Sequence, residues 1–113
     1  MISNRARRII RANSAITEGG AVRIFLSGDI DLAAVPAIAA EINTALGAGA
    51  SAIMIDLSKV MFIDSSGIGA LLAGLRRATE AGRAYTAAGA RGLAERVLTI
   101  AGVADYLSDP TAR

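Results

Sequence analysis

The sequence predicts a single α/β domain, a four- to five-stranded mixed sheet with helices covering mainly one face. Three observations carry that expectation. Stretches with alternating apolar residues, such as Val22, Ile24 and Leu26, take turns with stretches of helical spacing, such as Val35, Ile38, Ile42 and Leu46. Glycines mark most of the junctions between them. Each helical stretch has one apolar face, which places the helices on one side of a largely parallel sheet. At 113 residues the chain is long enough for one core that buries roughly two-thirds of its unfolded surface.

The elements follow in order. Ile9 to Ile16 reads as a first strand, and Gly19-Gly20 as the turn of a hairpin. In the second strand Val22, Ile24 and Leu26 alternate with Arg23, Phe25 and Ser27, and Gly28 ends it. Asp31 suits the N-cap of a first helix, with Pro36 in a first turn that tolerates a missing N–H. Gly47 and Gly49 close that helix. Ala52 to Leu57 forms a third strand, and Val60 to Ile63 a separate apolar approach to the next helix. There Ile68, Leu71, Leu72 and Leu75 make one face, while Arg76, Arg77, Glu80 and Arg83 meet water. Ala84 to Ala88 is a weak fourth strand. A third helix carries Leu93, Val97, Leu98 and Ile100 and stops at Gly102, and Val103 to Leu107 reads as a short last strand. Internal repeats and low-complexity blocks are missing from the sequence.

Composition narrows the chemistry. Over half the residues are apolar but only 4% are aromatic, so the core is aliphatic and rich in alanine. No stretch reaches the roughly 20 apolar residues that span a bilayer, and the arginines near the N-terminus precede no apolar run of a signal peptide. A cytoplasmic protein is expected. Without cysteine or histidine, the chain has no disulfide, no thiol chemistry, no Ser-His-Asp triad and no histidine metal site. Lys59 is the sole lysine. Neither a catalytic centre nor a cofactor or metal is expected. Arg5, Arg7, Arg8 and Arg11 lead the chain, and the remaining eight basic residues face ten acidic ones. Residues 1–8 read as a basic arm ahead of a domain over residues 9–113. With no interleaved aromatics and a mildly acidic body, nucleic acid is not expected as a partner.

The stretch VMFIDSSGIGALL, Val60 to Leu72, sets two serines where an apolar strand gives way to an apolar helix. Four roles are open to them. Asp64 or Ser65 caps the helix, since a helix start leaves backbone N–H groups unpaired. An anion binds there, favoured by the helix dipole, although the P-loop pattern is absent. A serine attacks a substrate, although the GxSxG elbow and a histidine base are missing. A serine accepts phosphate from another protein, with Ser66 presented by the turn. Capping alone needs neither both serines nor Gly67 and Gly69, which weaken a helix start by about 0.5–1 kcal/mol each. Such small residues let a neighbouring surface, either the sheet or another protein, come close. A receiver domain would want an acidic cluster and a later lysine, and no lysine follows Lys59.

Three segments resemble the STAS domain, in particular the single-domain anti-sigma factor antagonists of bacteria. They are LSGDIDLAAVPAI (Leu26 to Ile38), IMIDLSKVMFIDSSGIGALL (Ile53 to Leu72) and GLAERVLTIAGVADYL (Gly92 to Leu107), in the family's order. The resemblance implies a binding protein that is not an enzyme. It would bind an anti-sigma factor with serine kinase activity and free a sigma factor. That kinase would phosphorylate Ser66 and end the antagonism, and a serine phosphatase would restore it. Asp31, Asp64, Ser65, Gly67, Ile68 and Gly69 would belong to the docking surface. Structural roles stand beside these: Asp31 and Asp64 as caps or turn residues, Gly28 as a turn, Ile68 as core. The alternative implied by the same family is a scaffold or accessory subunit, of a stressosome or a lipid-transport ATPase, without a phospho-switch. Two departures from the family pattern stand out: the alanine-rich fourth strand, and a last helix that is absent or reduced before Arg113.

Overall fold

The computed structural model describes residues 11–16 and 18–113. The basic arm, and Ile9 and Ile10 of the predicted first strand, lie outside the described residues. Strands β1 (Arg11–Ile16), β2 (Val22–Ile30), β3 (Ala52–Ile63) and β4 (Ala84–Ala88) form one sheet in the order β1-β2-β3-β4. β1 lies antiparallel to β2, with Ile16 opposite Val22, while β2, β3 and β4 are parallel. Helix α1 (Val35–Gly47) connects β2 to β3, and α2 (Ser65–Glu80) connects β3 to β4. After β4 come α3 (Gly92–Ile100) and the short α4 (Ala104–Ser108).

The alternating residues behave as their period demands. Val22, Ile24 and Leu26 of β2 and Ile53, Ile55 and Leu57 of β3 are buried, in one core with Ile38 and Ile42 of α1 and Leu71 and Leu75 of α2. On the other side of these strands Arg23 pairs with Asp56 at 3.3 Å, its guanidinium 6.0 Å from the centre of the Phe25 ring. Asp56 also accepts from the hydroxyl and the N–H of Ser58, at 2.6 and 2.9 Å. Those two bonds first, and then the Arg23 charge, hold its carboxyl below the usual carboxylate range.

Four expectations need correction. Gly28 does not end the second strand. Its φ of +88° accommodates a register shift, and β2 runs on to Ile30. The third strand does not stop at Leu57 but continues to Ile63 as one element. Between Phe25 opposite Asp56 and Ile30 opposite Ile63, β3 uses two more residues than β2, and the bulges move its buried positions from alternation to Leu57, Val60 and Ile63. Val103 to Leu107 is helical. A strand would put Asp105 on the same side as Val103 and Leu107, whereas one helical turn brings Val103 and Leu107 together and leaves Asp105 outside. On α3 the inward residues are Ala94 and Leu98, and Leu93 and Ile100 are exposed.

Tyr85 of β4 is the one hydroxyl-bearing side chain in the core among the described residues, and it donates to the Leu71 carbonyl of α2 at 2.7 Å. Burial pushes its hydroxyl well above the ordinary tyrosine range, so it remains a donor. Gly74 makes room for it, since a Cβ there would lie 2.8 Å from the Tyr85 hydroxyl. The Tyr85→Phe protein should fold with a stability lower by about 1 kcal/mol in urea unfolding. An unchanged midpoint would mean that this bond contributes nothing.

Candidate functional site

β2 and β3 end in the same row, Ile30 opposite Ile63, so the next residues reach one rim of the sheet together. Asp31 leaves β2 and Asp64 leaves β3, and the Asp64 N–H donates to the Ile30 carbonyl at 3.1 Å. Each aspartate organises the chain after it. The Asp31 carboxylate accepts from the Ala33 N–H at 3.0 Å, capping the 3-10 turn Leu32–Ala34 that leads into α1. The Asp64 carboxylate accepts from the Gly67 N–H at 3.0 Å, and its carbonyl takes the Ile68 N–H at 2.9 Å. Asp64 is therefore the N-cap of α2.

That assignment separates the roles of the two serines from capping. Ser65 is exposed and Ser66 half-buried, and neither hydroxyl has a hydrogen-bond partner among the described residues. They stand on the first turn of a 16-residue helix, whose leading N–H groups have no partners within the helix. The hydroxyls are presented rather than activated, because the nearby Asp64 carboxylate is engaged by Gly67 and the sequence has no histidine.

The two glycines divide the alternatives left by the sequence. Gly67 is buried, and a Cβ there would fall 2.5 Å from the Ile30 carbonyl oxygen and 2.8 Å from Cγ1 of Ile63. Its small size lets the sheet approach, so its part in any docking surface is to set the path of the helix. Gly69 is exposed, with open space where a Cβ would stand. Ile68 is partly buried against the core.

Sequence reasoning missed the apolar side chains on this rim. Leu32 is 72% exposed, Met61 70% and Phe62 37%. Leu32 follows Asp31, and Phe62 lies opposite Asp29 in the last rows of the sheet. The signal was present in Met61 and Phe62 as neighbours, since an alternating strand turns only one of two adjacent residues outward. The bulges in β3 expose both. Among the described residues no cluster of acidic side chains fit to hold a metal occurs, and no helix is long and apolar enough to cross a membrane.

Comparison with known proteins gives the site a setting. The family model described as "Mlab, STAS domain" matches residues 15–109. An anti-sigma factor antagonist from Mycobacterium paratuberculosis has a similar crystal structure, with TM-score 0.74 and 27% identity over 88% of this chain and 83% of that one. The unphosphorylated anti-sigma factor antagonist SpoIIAA superposes with TM-score 0.72 at 24% identity, over 90% of this chain and 92% of its own. Phosphorylated SpoIIAA, a Bacillus cell fate determinant, gives TM-score 0.64 at 26% identity, over 82% and 85%. No curated protein matches the chain.

Two pairs of variants check this account of the helix start. Asp64→Ala should lower stability by about 1 kcal/mol, the usual loss for a removed N-cap. Ser66→Ala should stay within about 0.5 kcal/mol of the parent, as for a surface change that breaks no bond. Gly67→Ala should destabilise by about 1–3 kcal/mol, because the obstructing Ile30 carbonyl is backbone. Gly69→Ala should stabilise the helix by about 0.5–1 kcal/mol. Chemical denaturation measures all four, and equal losses at 67 and 69 would contradict the packing described.

Proposed function

This chain belongs to the STAS-domain family, and on that premise we propose that it is an anti-sigma factor antagonist switched off by phosphorylation of Ser66. In this reading it binds an anti-sigma factor that is also a serine kinase, and the sigma factor is released for transcription. The observation that carries the reading is the division of labour at the start of α2. Asp64 does the capping, and the Ser66 hydroxyl has no hydrogen-bond partner among the described residues. The names of the structural neighbours support it, since they are anti-sigma factor antagonists and SpoIIAA occurs in phosphorylated and unphosphorylated forms.

The chain supplies a surface and an acceptor. Asp31 and Asp64 follow the adjacent ends of β2 and β3, Ser65, Ile68 and Gly69 belong with Ser66 to the start of α2, and the exposed Leu32, Met61 and Phe62 add apolar area that a docked partner would cover. The docked kinase transfers the γ-phosphoryl group of ATP to Ser66 Oγ. ADP leaves, and the hydroxyl proton passes to a base of the kinase. The new group carries about −1.5 to −2 charges. The fold accommodates it, because the first-turn N–H groups of α2 favour an anion. Binding does not, because the phosphate adds bulk and sits beside Asp64 and Asp31 in a desolvated interface. A penalty of about 3 kcal/mol there lowers affinity roughly a hundredfold. A serine phosphatase hydrolyses the phosphate ester and restores binding. The chain is substrate and binding module rather than enzyme, a role exercised in the cytoplasm.

Intact mass spectrometry of the protein from its own host, beside the Ser66→Ala variant, tests the switch. A phosphate-sized increment in the first and none in the second is expected. A chain that never carries phosphate in any growth phase would instead fit a scaffold or accessory STAS subunit with constitutive binding. Ser66→Asp should weaken binding to the cognate anti-sigma factor about a hundredfold while leaving the unfolding midpoint in place. Equal affinities would sink the interface mechanism.

A further inference from the structure

The last part of β3 has less support than the rest of the sheet. β4 pairs with β3 only from Ala52 opposite Ala84 to Asp56 opposite Ala88. Among the described residues, Leu57 to Ile63 therefore have a neighbouring strand on the β2 side alone. Both bulges fall in this stretch. In the first, β3 passes Leu57 and Ser58 between Asp56 and Lys59, while β2 passes only Leu26 between Phe25 and Ser27. In the second, Met61 is the extra residue, since Val60 and Phe62 face the consecutive Gly28 and Asp29. The stretch leads directly into Asp64, which caps α2.

Asp56 spans the first bulge with its side chain. One carboxylate oxygen accepts from both the N–H and the hydroxyl of Ser58, at 2.9 and 2.6 Å, and so holds a residue inside the bulge. The other oxygen takes Arg23 at 3.3 Å. Asp56 and Ser58 are half-buried, and the chain after β4 lies against them, since a Cβ on Gly89 would stand 3.7 Å from the Ser58 nitrogen. Short bonds to an ionised acceptor in such surroundings outweigh the pairing with Arg23, whose side chain is 44% exposed.

The bulges decide what faces outward at the rim. Unbroken alternation from Ile53, Ile55 and Leu57 would turn Lys59 and Met61 inward. The bulged path buries Val60 instead and leaves Lys59 and Met61 outside. Burying the Lys59 ammonium is too costly for β3 to slip into the unbulged register, so weakening the first bulge loosens the strand end in place. We infer that Asp56 is a positioning residue for the docking rim, which through Ser58 fixes the end of β3 that presents Met61, Phe62 and Asp64. The inference rests on this rim being the partner-binding surface.

Amide hydrogen exchange of the full chain, read by NMR, tests the anchor without a partner. In Asp56→Ala the Asp64 amide, which donates to the Ile30 carbonyl, should exchange about tenfold faster relative to the Ile24 and Ile55 amides in the regular rows. Asp56→Asn keeps an acceptor oxygen for Ser58 and should bring the relative rate to within about threefold of the parent. Arg23→Gln should leave it unchanged. Should Asp56→Ala fail to fold, Ser58→Ala removes only the hydroxyl bond and should still raise the relative rate about threefold. Equal acceleration at residues 24, 55 and 64 overturns the inference, because Asp56 would then serve overall stability alone. An Arg23→Gln effect as large as that of Asp56→Ala overturns it too, by assigning the anchor to the ion pair. Affinity for the anti-sigma factor that the parent chain binds should fall about tenfold in Asp56→Ala, compared at equal folded fraction, and recover in Asp56→Asn. Faster exchange at Asp64 with unaltered affinity overturns the rim as the docking surface, while the exchange result by itself decides the anchor.

Discussion

Helix α2 starts where it does because residue 67 has no side chain. A Cβ there would stand 2.5 Å from the Ile30 carbonyl oxygen, well inside any tolerable contact. That carbonyl is itself fixed by the Asp64 N–H, and the Asp64 carboxylate by the Gly67 N–H. The three residues form a closed arrangement in which the end of β2, the end of β3 and the first turn of α2 determine one another. Ser66 lies between the capping aspartate and the buried glycine. Its position is set by neighbours on both sides while its own hydroxyl takes no part. A side chain placed so firmly, with nothing structural to do, is well suited to being acted on by something else.

The fold was largely legible in the sequence because its signals are periodic. The alternation of Val22, Ile24 and Leu26 and the spacing of Ile38, Ile42, Leu71 and Leu75 correspond to buried faces. What was not legible arises where periodicity changes inside one element. The bulges of β3 convert alternation into a spacing of three, so Val60 to Ile63 reads as a separate piece. Val103 and Leu107 fit both a strand and one turn of helix, and only the need to keep Asp105 outside decides between them. The third helix misleads for another reason. Its largest apolar residues, Leu93 and Ile100, point outward, and the small Ala94 holds the close contact.

At the site, the residue types were readable but their allocation was not. Asp64, two serines and two glycines announce a helix start, yet the sequence leaves open which of them caps. Hydrogen bonding answers this, since Asp64 reaches the Gly67 N–H and the serine hydroxyls have no partner among the described residues. The glycines look equivalent in sequence and differ completely in surroundings, one against the sheet and one in open space. Of the apolar rim, the sequence hints only at Met61 and Phe62, as apolar neighbours late in a strand, and their joint exposure comes from the bulged geometry of β3. Such information lies in three dimensions rather than in spacing.

The position of β4 has a consequence for behaviour at high concentration. Among the described residues it is the last strand of the sheet and pairs with β3 alone, so its outer side offers backbone groups to any other extended chain. Three features limit that hazard. The strand has only five residues, AYTAA, which leave few side chains for a second sheet to grip. Arg83 stands immediately before it. Gly89, at φ +91°, turns the chain away immediately after it. The weak fourth strand thus acts as a protected edge, and its poor β-forming character is a defence against self-association. A longer, more aliphatic strand would strengthen the sheet while giving every copy a template for the next.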